Sequence, residues 1–267
     1  MSIGTGSEFN AAINIVKLSI GCGILALPFS TFACGLLMSP IVNLCVAVVN
    51  YFACVLVLRS RKASEHIPTP RKVLSTYSKI AFAGCGWIGV GVVEFSILAT
   101  LLGVCISYQI TFAELIADIP DNTFPSYVLS IICGILVYPL TIGKNVDSLA
   151  VVSLAGIGCL LLSVVVIIGF GVVMYGNDAS MNGIDFQVIY LWPTSIASFT
   201  SYIGVSTFCY GQASLIFPIE ESMIHRNGIF NALKYGILFV WLTYVFVGDG
   251  IAYLYAFSPS GKYPAVK

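Results

Sequence analysis

Two segments of the chain place glycine, polar residues and proline inside otherwise apolar runs. The first, at 19–28, reads SIGCGILALP, and the second, at 206–218, reads STFCYGQASLIFP. Glycine weakens a helix and proline removes a backbone donor, so both segments predict a broken helix. Amides freed by a break bind a carboxylate, and freed carbonyls bind an amine or a cation. For the first segment alone, a kink or close packing through the glycines is the other interpretation.

Residues of the two predicted breaks form a candidate binding site. Broken segments in two oppositely directed helices are the pattern that marks a substrate site in membrane proteins built from inverted repeats. The candidate binding residues are Ser19, Gly21, Cys22, Gly23, Ile24, Phe208, Tyr210, Gly211, Gln212 and Ser214.

Charged residues inside apolar runs are candidates for proton coupling. Glu94 lies about 12 residues into such a run, roughly 18 Å along a helix axis, where a charge is costly and the protonated form is favoured. A hydrogen-bonded structural glutamate is the equal alternative. Lys17 lies four positions before Gly21 and either repels a bound cation or extends to the interface. Asp249 is either an interfacial carboxylate or part of an outer vestibule.

These residues require membrane-spanning helices to position them. A spanning helix needs about 20 mostly apolar residues, and the runs at 41–58 and 151–173 are apolar on every face, unlike the alternating strands of a barrel. The sequence therefore predicts one all-α domain over 1–267, a polytopic membrane helix bundle with a basic loop at 59–80. Its seven predicted spans are 11–35, 37–58, 81–112, 126–143, 150–175, 198–219 and 229–256.

Composition excludes several classes of function. Apolar residues make up 58% of the chain and charged residues 9%, against roughly a quarter in soluble domains. Net charge is zero and no long basic stretch is interleaved with aromatics, which excludes a nucleic-acid-binding protein. No nucleophile with its base and no cluster of metal-ligand spacing is found. We therefore expect no enzyme, no cofactor and no metal site, and we expect a small molecule and the lipid bilayer as partners.

The distribution of lysine and arginine predicts the orientation. Short loops rich in these residues stay in the cytoplasm, and the loop at 59–80 contains six of them. Placing that loop inside leaves two bases, Lys262 and Lys267, outside. The N-terminus is therefore predicted to be cytoplasmic, which excludes a heptahelical receptor, since those begin outside the cell.

The order and spacing of several motifs resemble the amino acid/auxin permease family of the amino acid-polyamine-organocation superfamily. The first helix carries NIVK at 14–17 and GCGILALP at 21–28, with Cys22 where the family usually has Thr. The resemblance covers nearly the whole chain. Further motifs match the family's third, fifth and sixth helices: VEF at 93–95, Tyr108, AEL at 113–115, KNVDSLAVVS at 144–153 and PIEESM at 218–223.

The resemblance implies a LeuT-like inverted repeat of five plus five helices. It implies a secondary-active transporter that moves a small amino acid by alternating access between broken helices one and six. The substrate carboxylate is then expected at the amides of 21–23, and its ammonium at carbonyls or hydroxyls of 208–214. Seven helices make only five of the first repeat and two of the second. A non-transporting amino acid sensor or scaffold, or a truncated chain, is therefore the alternative.

The resemblance also bears on coupling and location. Sodium-coupled members tend to carry Asn where this chain has Lys17, whereas proton-coupled and vacuolar members tend to carry Lys. Many members place Glu in the sixth-helix break, where this chain has Gly211. Proton-coupled or facilitative transport is implied, in a vacuolar, lysosomal or plasma membrane. If Glu94 carries the proton, Glu94→Gln is expected to abolish pH-driven uptake and to leave exchange.

Overall fold

A computed structural model of the chain describes residues 7–21, 23–64, 75–117, 125, 127–132, 134–135, 146–179, 190–224 and 226–256. Every regular element in these ranges is a helix, which confirms the all-α class. The helices are α1 (Glu8–Ser19), α2 (Gly23–Cys34), α3 (Met38–Ser64), α4 (Thr76–Ala117), α5 (Val146–Ala179), α6 (Ile196–Cys209), α7 (Ile216–Ser222) and α8 (Ile229–Ala256), with 3₁₀ turns at Gly211–Leu215 and Arg226–Gly228.

Helix length and apolarity identify the membrane spans. Within the described ranges three segments are long and apolar enough to cross a bilayer, namely Met38–Ser64, Thr76–Glu114 and Arg226–Leu254, and the bent pair α1 and α2 makes a fourth. The apolar segments Gly158–Val173 and Ile196–Cys209 are shorter. The predicted span at 126–143 lies mostly outside the described residues, so seven spans stays a prediction. Helix α3 continues to Ser64, so the basic loop begins later than its predicted start at 59.

The chain divides into two compact units, of which the first comprises Met1–Leu56 and Ile157–Lys267. In this unit α1 and α2 both pack on α8, and α2 also packs on α6. Steps of three and four residues place a buried stripe on one face of α8. Its apolar members are Ile229, Leu233, Ile237, Val240, Val247 and Ile251.

Glycine permits a tight turn between α2 and α3. Gly35 has φ 98°, and a Cβ there would lie 2.7 Å from the carbonyl oxygen of Leu191. The amide of Leu36 donates to the carbonyl of Tyr190 at 2.9 Å. The turn therefore holds the segment that leads into α6 against the end of α2.

The second unit, Val57–Gly156, contains the whole of α4. This helix is sharply bent at Cys85 and Gly86, where Gly86 has φ 63° and ψ −148°. A Cβ at Gly89 would lie 2.6 Å from the carbonyl oxygen of Ala81, so the two arms of α4 come close beside the bend. Glycine is required at 86 because side-chain-bearing residues rarely adopt this backbone conformation.

We expect Gly86→Ala to lower the free energy of unfolding by about 1–3 kcal/mol, the usual cost of holding a side-chain-bearing residue in this region. A Cβ at Gly86 meets nothing within 4 Å, so the effect would come from the backbone alone. Gly91→Ala is the matched control, because Gly91 has equally open space and helical geometry. Thermal unfolding in detergent measures both variants, and equal responses would contradict the strain at Gly86.

Candidate functional site

The first break separates α1 from α2. Helix α1 ends at Ser19, Ile20 adopts φ −75° and ψ 90°, and α2 starts at Gly23 with its axis turned by 62° from α1. The amide of Ile20 donates to the carbonyl of Val16 at 2.9 Å, which closes the last turn of α1. The first amides of α2 have no partner inside their own helix, as at any helix N-terminus.

The second break separates α6 from α7. Helix α6 ends at Cys209, Tyr210 adopts φ −96° and ψ 20°, and a 3₁₀ turn over Gly211–Leu215 leads into α7. The hydroxyl groups of Ser206 and Tyr210 are buried and have no hydrogen-bond partner among the residues that the structure describes. Buried hydroxyls without a partner are costly, so these two groups are candidates to bind a ligand or water.

The two breaks lie directly against each other. A Cβ on Gly23, the first residue of α2, would lie 2.5 Å from the Sγ of Cys209, the last residue of α6, and 3.5 Å from the ring of Phe208. Only glycine permits this approach. The N-terminus of α2, which favours negative charge, therefore meets the C-terminus of α6, which favours positive charge.

A tyrosine on α8 joins the ends of both broken helices. The hydroxyl of Tyr244 lies 2.5 Å from the carbonyl oxygen of Ser19 and 3.0 Å from that of Cys209, and it is the donor to both. Its buried ring packs edge-to-face on Tyr210, with the ring centroids 5.3 Å apart. Tyr244 thus satisfies carbonyls that the helix breaks leave open.

An asparagine on α3 binds the next carbonyl of the second break. The side-chain amide of Asn50 donates to the carbonyl oxygen of Tyr210 at 2.6 Å. The carbonyls of Cys209 and Tyr210 therefore already have protein donors. An ammonium group in this region would share these oxygens with Tyr244 and Asn50, or would bind the open hydroxyls of Ser206 and Tyr210.

The predicted binding residues occupy different surroundings. The hydroxyl of Ser19 donates to the carbonyl of Ile15 at 3.0 Å, inside its own helix. Buried Ile24 lines an apolar cavity of about 330 Å³ with residues of α2, α5 and α8. Gly211 is exposed. Three predictions fall outside the described atoms, namely the whole of Cys22 and the side chains of Gln212 and Ser214.

Lys17 and Glu94, the predicted coupling residues, are both exposed. Lys17 lies in the last turn of α1, where a cation complements the helix dipole. In the second unit, Glu94 accepts a hydrogen bond from the buried Ser78 hydroxyl at 2.8 Å. The bend at Gly86 makes Glu94 the eighth residue of the longer arm, roughly 10 Å from its start. This distance along the arm is shorter than the roughly 18 Å that the sequence predicts for one straight helix, and the depth of Glu94 in the membrane stays a prediction.

Sequence reasoning missed Tyr244 and Asn50 as residues of the breaks, and it placed Ser206 in the second break without naming it as a binding residue. A signal for Tyr244 existed, because it falls on the buried stripe of α8 where every other large member is aliphatic. Asn50 is a polar residue in the middle of an apolar span, which by itself marks a group with a specific partner.

Comparison with known proteins places the chain in a family. Residues 4–258 match the family model described as transmembrane amino acid transporter protein. The chain belongs to this family. The match confirms the resemblance to the amino acid/auxin permeases and makes the chain an integral membrane protein of a transporter family, not an enzyme.

Curated relatives agree with the family. The chain is 22% identical to "Amino acid transporter AVT3C" of Arabidopsis thaliana over 91% of its own length and 58% of the relative. It is 25% identical to "Amino acid transporter ANT1" of the same plant, over 91% of the chain and 57% of that relative. It is 24% identical to human "Solute carrier family 38 member 10" over 54% of the chain and 13% of that protein. The chain thus spans under three-fifths of these relatives. No solved structure matches it significantly.

Proposed function

We propose that this member of the transmembrane amino acid transporter family moves a small amino acid across the membrane by secondary-active transport and alternating access. The observation that carries the proposal is the meeting of two helix breaks at Gly23 and Cys209, with Tyr244 bonded to the carbonyls of both. The relatives named above as amino acid transporters support the substrate class.

The charges of the two helix ends orient the substrate in this proposal. Its carboxylate binds the amides of 21–23 at the N-terminus of α2, where backbone donors and the helix dipole favour an anion. Its ammonium binds at the C-terminus of α6, within 208–214, where Tyr210 has a buried hydroxyl without a partner. A zwitterion matches both ends at once, whereas a simple anion or cation matches one.

The contact between α2 and α6 implies movement. A Cβ at Gly23 would already overlap the sulfur of Cys209, so a substrate enters between the breaks only after the two helices separate. A site closed in one state and opened in another is the requirement of alternating access. The short distance also favours an amino acid with a small side chain.

Uptake into liposomes that contain the purified chain tests the proposal. We expect time-dependent accumulation of one or more radiolabelled amino acids from a panel of all twenty, and faster uptake when the liposomes are preloaded with the same amino acid. Binding without accumulation would contradict transport and favour a sensor. Absence of both binding and uptake across the panel would contradict the substrate class.

Proton coupling remains part of the proposal. A coupling carboxyl must gain and lose a proton at membrane depth. Among the described carboxyls, Glu94 on α4, Asp249 on α8 and Glu220 on α7 differ in environment: Glu94 is exposed, Asp249 is half-buried and Glu220 is buried.

A further inference from the structure

Asp249 lies in a polar network inside the first unit. The hydroxyl of Ser39, at the start of α3, donates to its Oδ1 at 2.5 Å, and the side chain of Thr31 on α2 also hydrogen-bonds to Asp249. Ser39 is fully buried and Thr31 is 1% exposed. The carboxyl thus joins α8 to α2 and α3.

The network extends from Thr31 to α6. Tyr202, on α6, hydrogen-bonds to the side chains of both Thr31 and Asn43, and all three residues are buried. The Oδ1 of Asn43 is buried and has no partner. Asp249 is therefore linked through hydroxyl groups to α2 and α6, the two helices that meet at the breaks.

Among the residues that the structure describes, the groups recorded against this carboxyl include no base. The groups with which Asp249 interacts are the hydroxyls of Ser39 and Thr31, the thiol of Cys34 on α2 and the phenol of Tyr202 on α6. None of these side chains carries a positive charge at neutral pH. A carboxylate in a membrane interior without a cation is costly, and a bound proton removes that cost.

We infer that Asp249, through its hydrogen bonds to Ser39 and Thr31, is the residue that binds and releases the coupling proton. The inference rests on the proposed transport function. A hydronium ion transfers its proton to a carboxylate oxygen, so one O–H bond of hydronium breaks as the carboxyl O–H bond forms; on the opposite side the carboxyl O–H bond breaks as the proton returns to water. Glu94, the candidate that the sequence analysis names, is exposed and accepts a hydrogen bond from Ser78 of its own helix.

The hydroxyls supply the coupling to helix movement. The ionised carboxyl accepts hydrogen bonds only, so Ser39 and Thr31 both donate to it and hold α2 and α3 against α8. The protonated carboxyl gains an O–H donor and loses its charge, so its hydrogen bonds from Ser39 and Thr31 are no longer charge-assisted and become weaker. Protonation thus alters the attachment of α2, whose first residue contacts α6 at Cys209.

The test compares uptake in liposomes with and without an imposed pH gradient. We expect Asp249→Asn to lose the stimulation by the gradient completely while exchange of internal for external amino acid continues. Asp249→Glu, which keeps a carboxyl, is expected to retain stimulation. Glu114→Gln, the same carboxyl-to-amide change at an exposed site of α4, is the matched control and should behave as the unmodified chain.

Several results would overturn the inference. One is that the pH gradient stimulates uptake by Asp249→Asn as fully as by the unmodified chain. Another is that this stimulation is lost in Glu94→Gln but not in Asp249→Asn. If Asp249→Asn does not fold, Ser39→Ala removes one donor to the ionised carboxyl and should shift the midpoint of the pH profile toward higher pH; an unshifted profile counts against the inference.

Infrared spectra separate this inference from the proposed function. We expect a protonated-carboxyl band in the unmodified chain that changes with pH and is missing in Asp249→Asn. If the chain takes up no amino acid under any condition, the transport proposal fails, and the band still decides whether Asp249 exchanges a proton. The same band in both proteins would overturn the inference even if uptake is intact.

Discussion

Tyr244→Phe is expected to lower amino acid uptake about tenfold or more and to reduce the free energy of unfolding by about 0.5–1.5 kcal/mol, the usual net contribution of a hydrogen bond. The substitution removes one oxygen atom and leaves the carbonyls of Ser19 and Cys209 without their common donor. The ring that packs on Tyr210 remains, so loss of the hydrogen bonds is isolated from loss of packing. Initial uptake rates and thermal unfolding in detergent measure the two effects.

Tyr235→Phe is the matched control for this prediction. It removes the same atom from the same helix, but Tyr235 is 62% exposed and its recorded contact is between its ring and the Nζ of Lys234. Uptake and stability should remain within error of the unmodified chain. If Tyr244→Phe behaves like Tyr235→Phe, the hydroxyl does not hold the two breaks together.

Local sequence predicts where the helices break, because glycine and proline act on their own backbone and on the adjacent turn. The first break falls between Ser19 and Gly23, and the second begins at Tyr210, inside both predicted segments. The residues that satisfy the open carbonyls were not predictable in the same way. Tyr244 lies 225 positions from Ser19 and 35 from Cys209, and Asn50 lies 160 positions from Tyr210. No pattern in a single sequence gives such pairings.

The bend in α4 shows a second limit of sequence reasoning. Between 80 and 113 Glu94 is the one charged residue of a mostly apolar run, so hydropathy predicts one straight span. Four glycines at 84, 86, 89 and 91 permit a bend at several places, and only Gly86 has a positive φ. The position of Glu94 along its arm of α4 depends on which glycine carries the bend, and local sequence does not determine this. Asp249 was likewise visible in the sequence, but its hydroxyl neighbours on α2 and α3 were not.

Gly23→Leu is expected to abolish amino acid binding while the chain still inserts into the membrane. The Cβ alone would lie 2.5 Å from the sulfur of Cys209, and the remaining leucine atoms would occupy the space where the substrate carboxylate meets the first amides of α2. Insertion should continue, because leucine adds apolarity to an apolar span. Equilibrium binding of the transported amino acid measures the loss, and Gly21→Leu should give the same result. Uptake that survives both substitutions would contradict the site at the breaks.

A smaller substitution at Gly23 distinguishes two effects of the leucine: overlap with Cys209 of α6, and occupation of the space where the substrate carboxylate binds. Gly23→Ala introduces only the Cβ, and overpacking of this kind costs about 1–3 kcal/mol in a well-packed core. Cys209→Ala removes the opposing sulfur, so the double variant should recover most of the lost stability and part of the binding. A double-mutant cycle on melting temperature and affinity quantifies the recovery. If the losses of stability are additive, Gly23 and Cys209 do not face each other. If stability recovers but binding does not, the α2 amides need the unmodified glycine to reach a carboxylate.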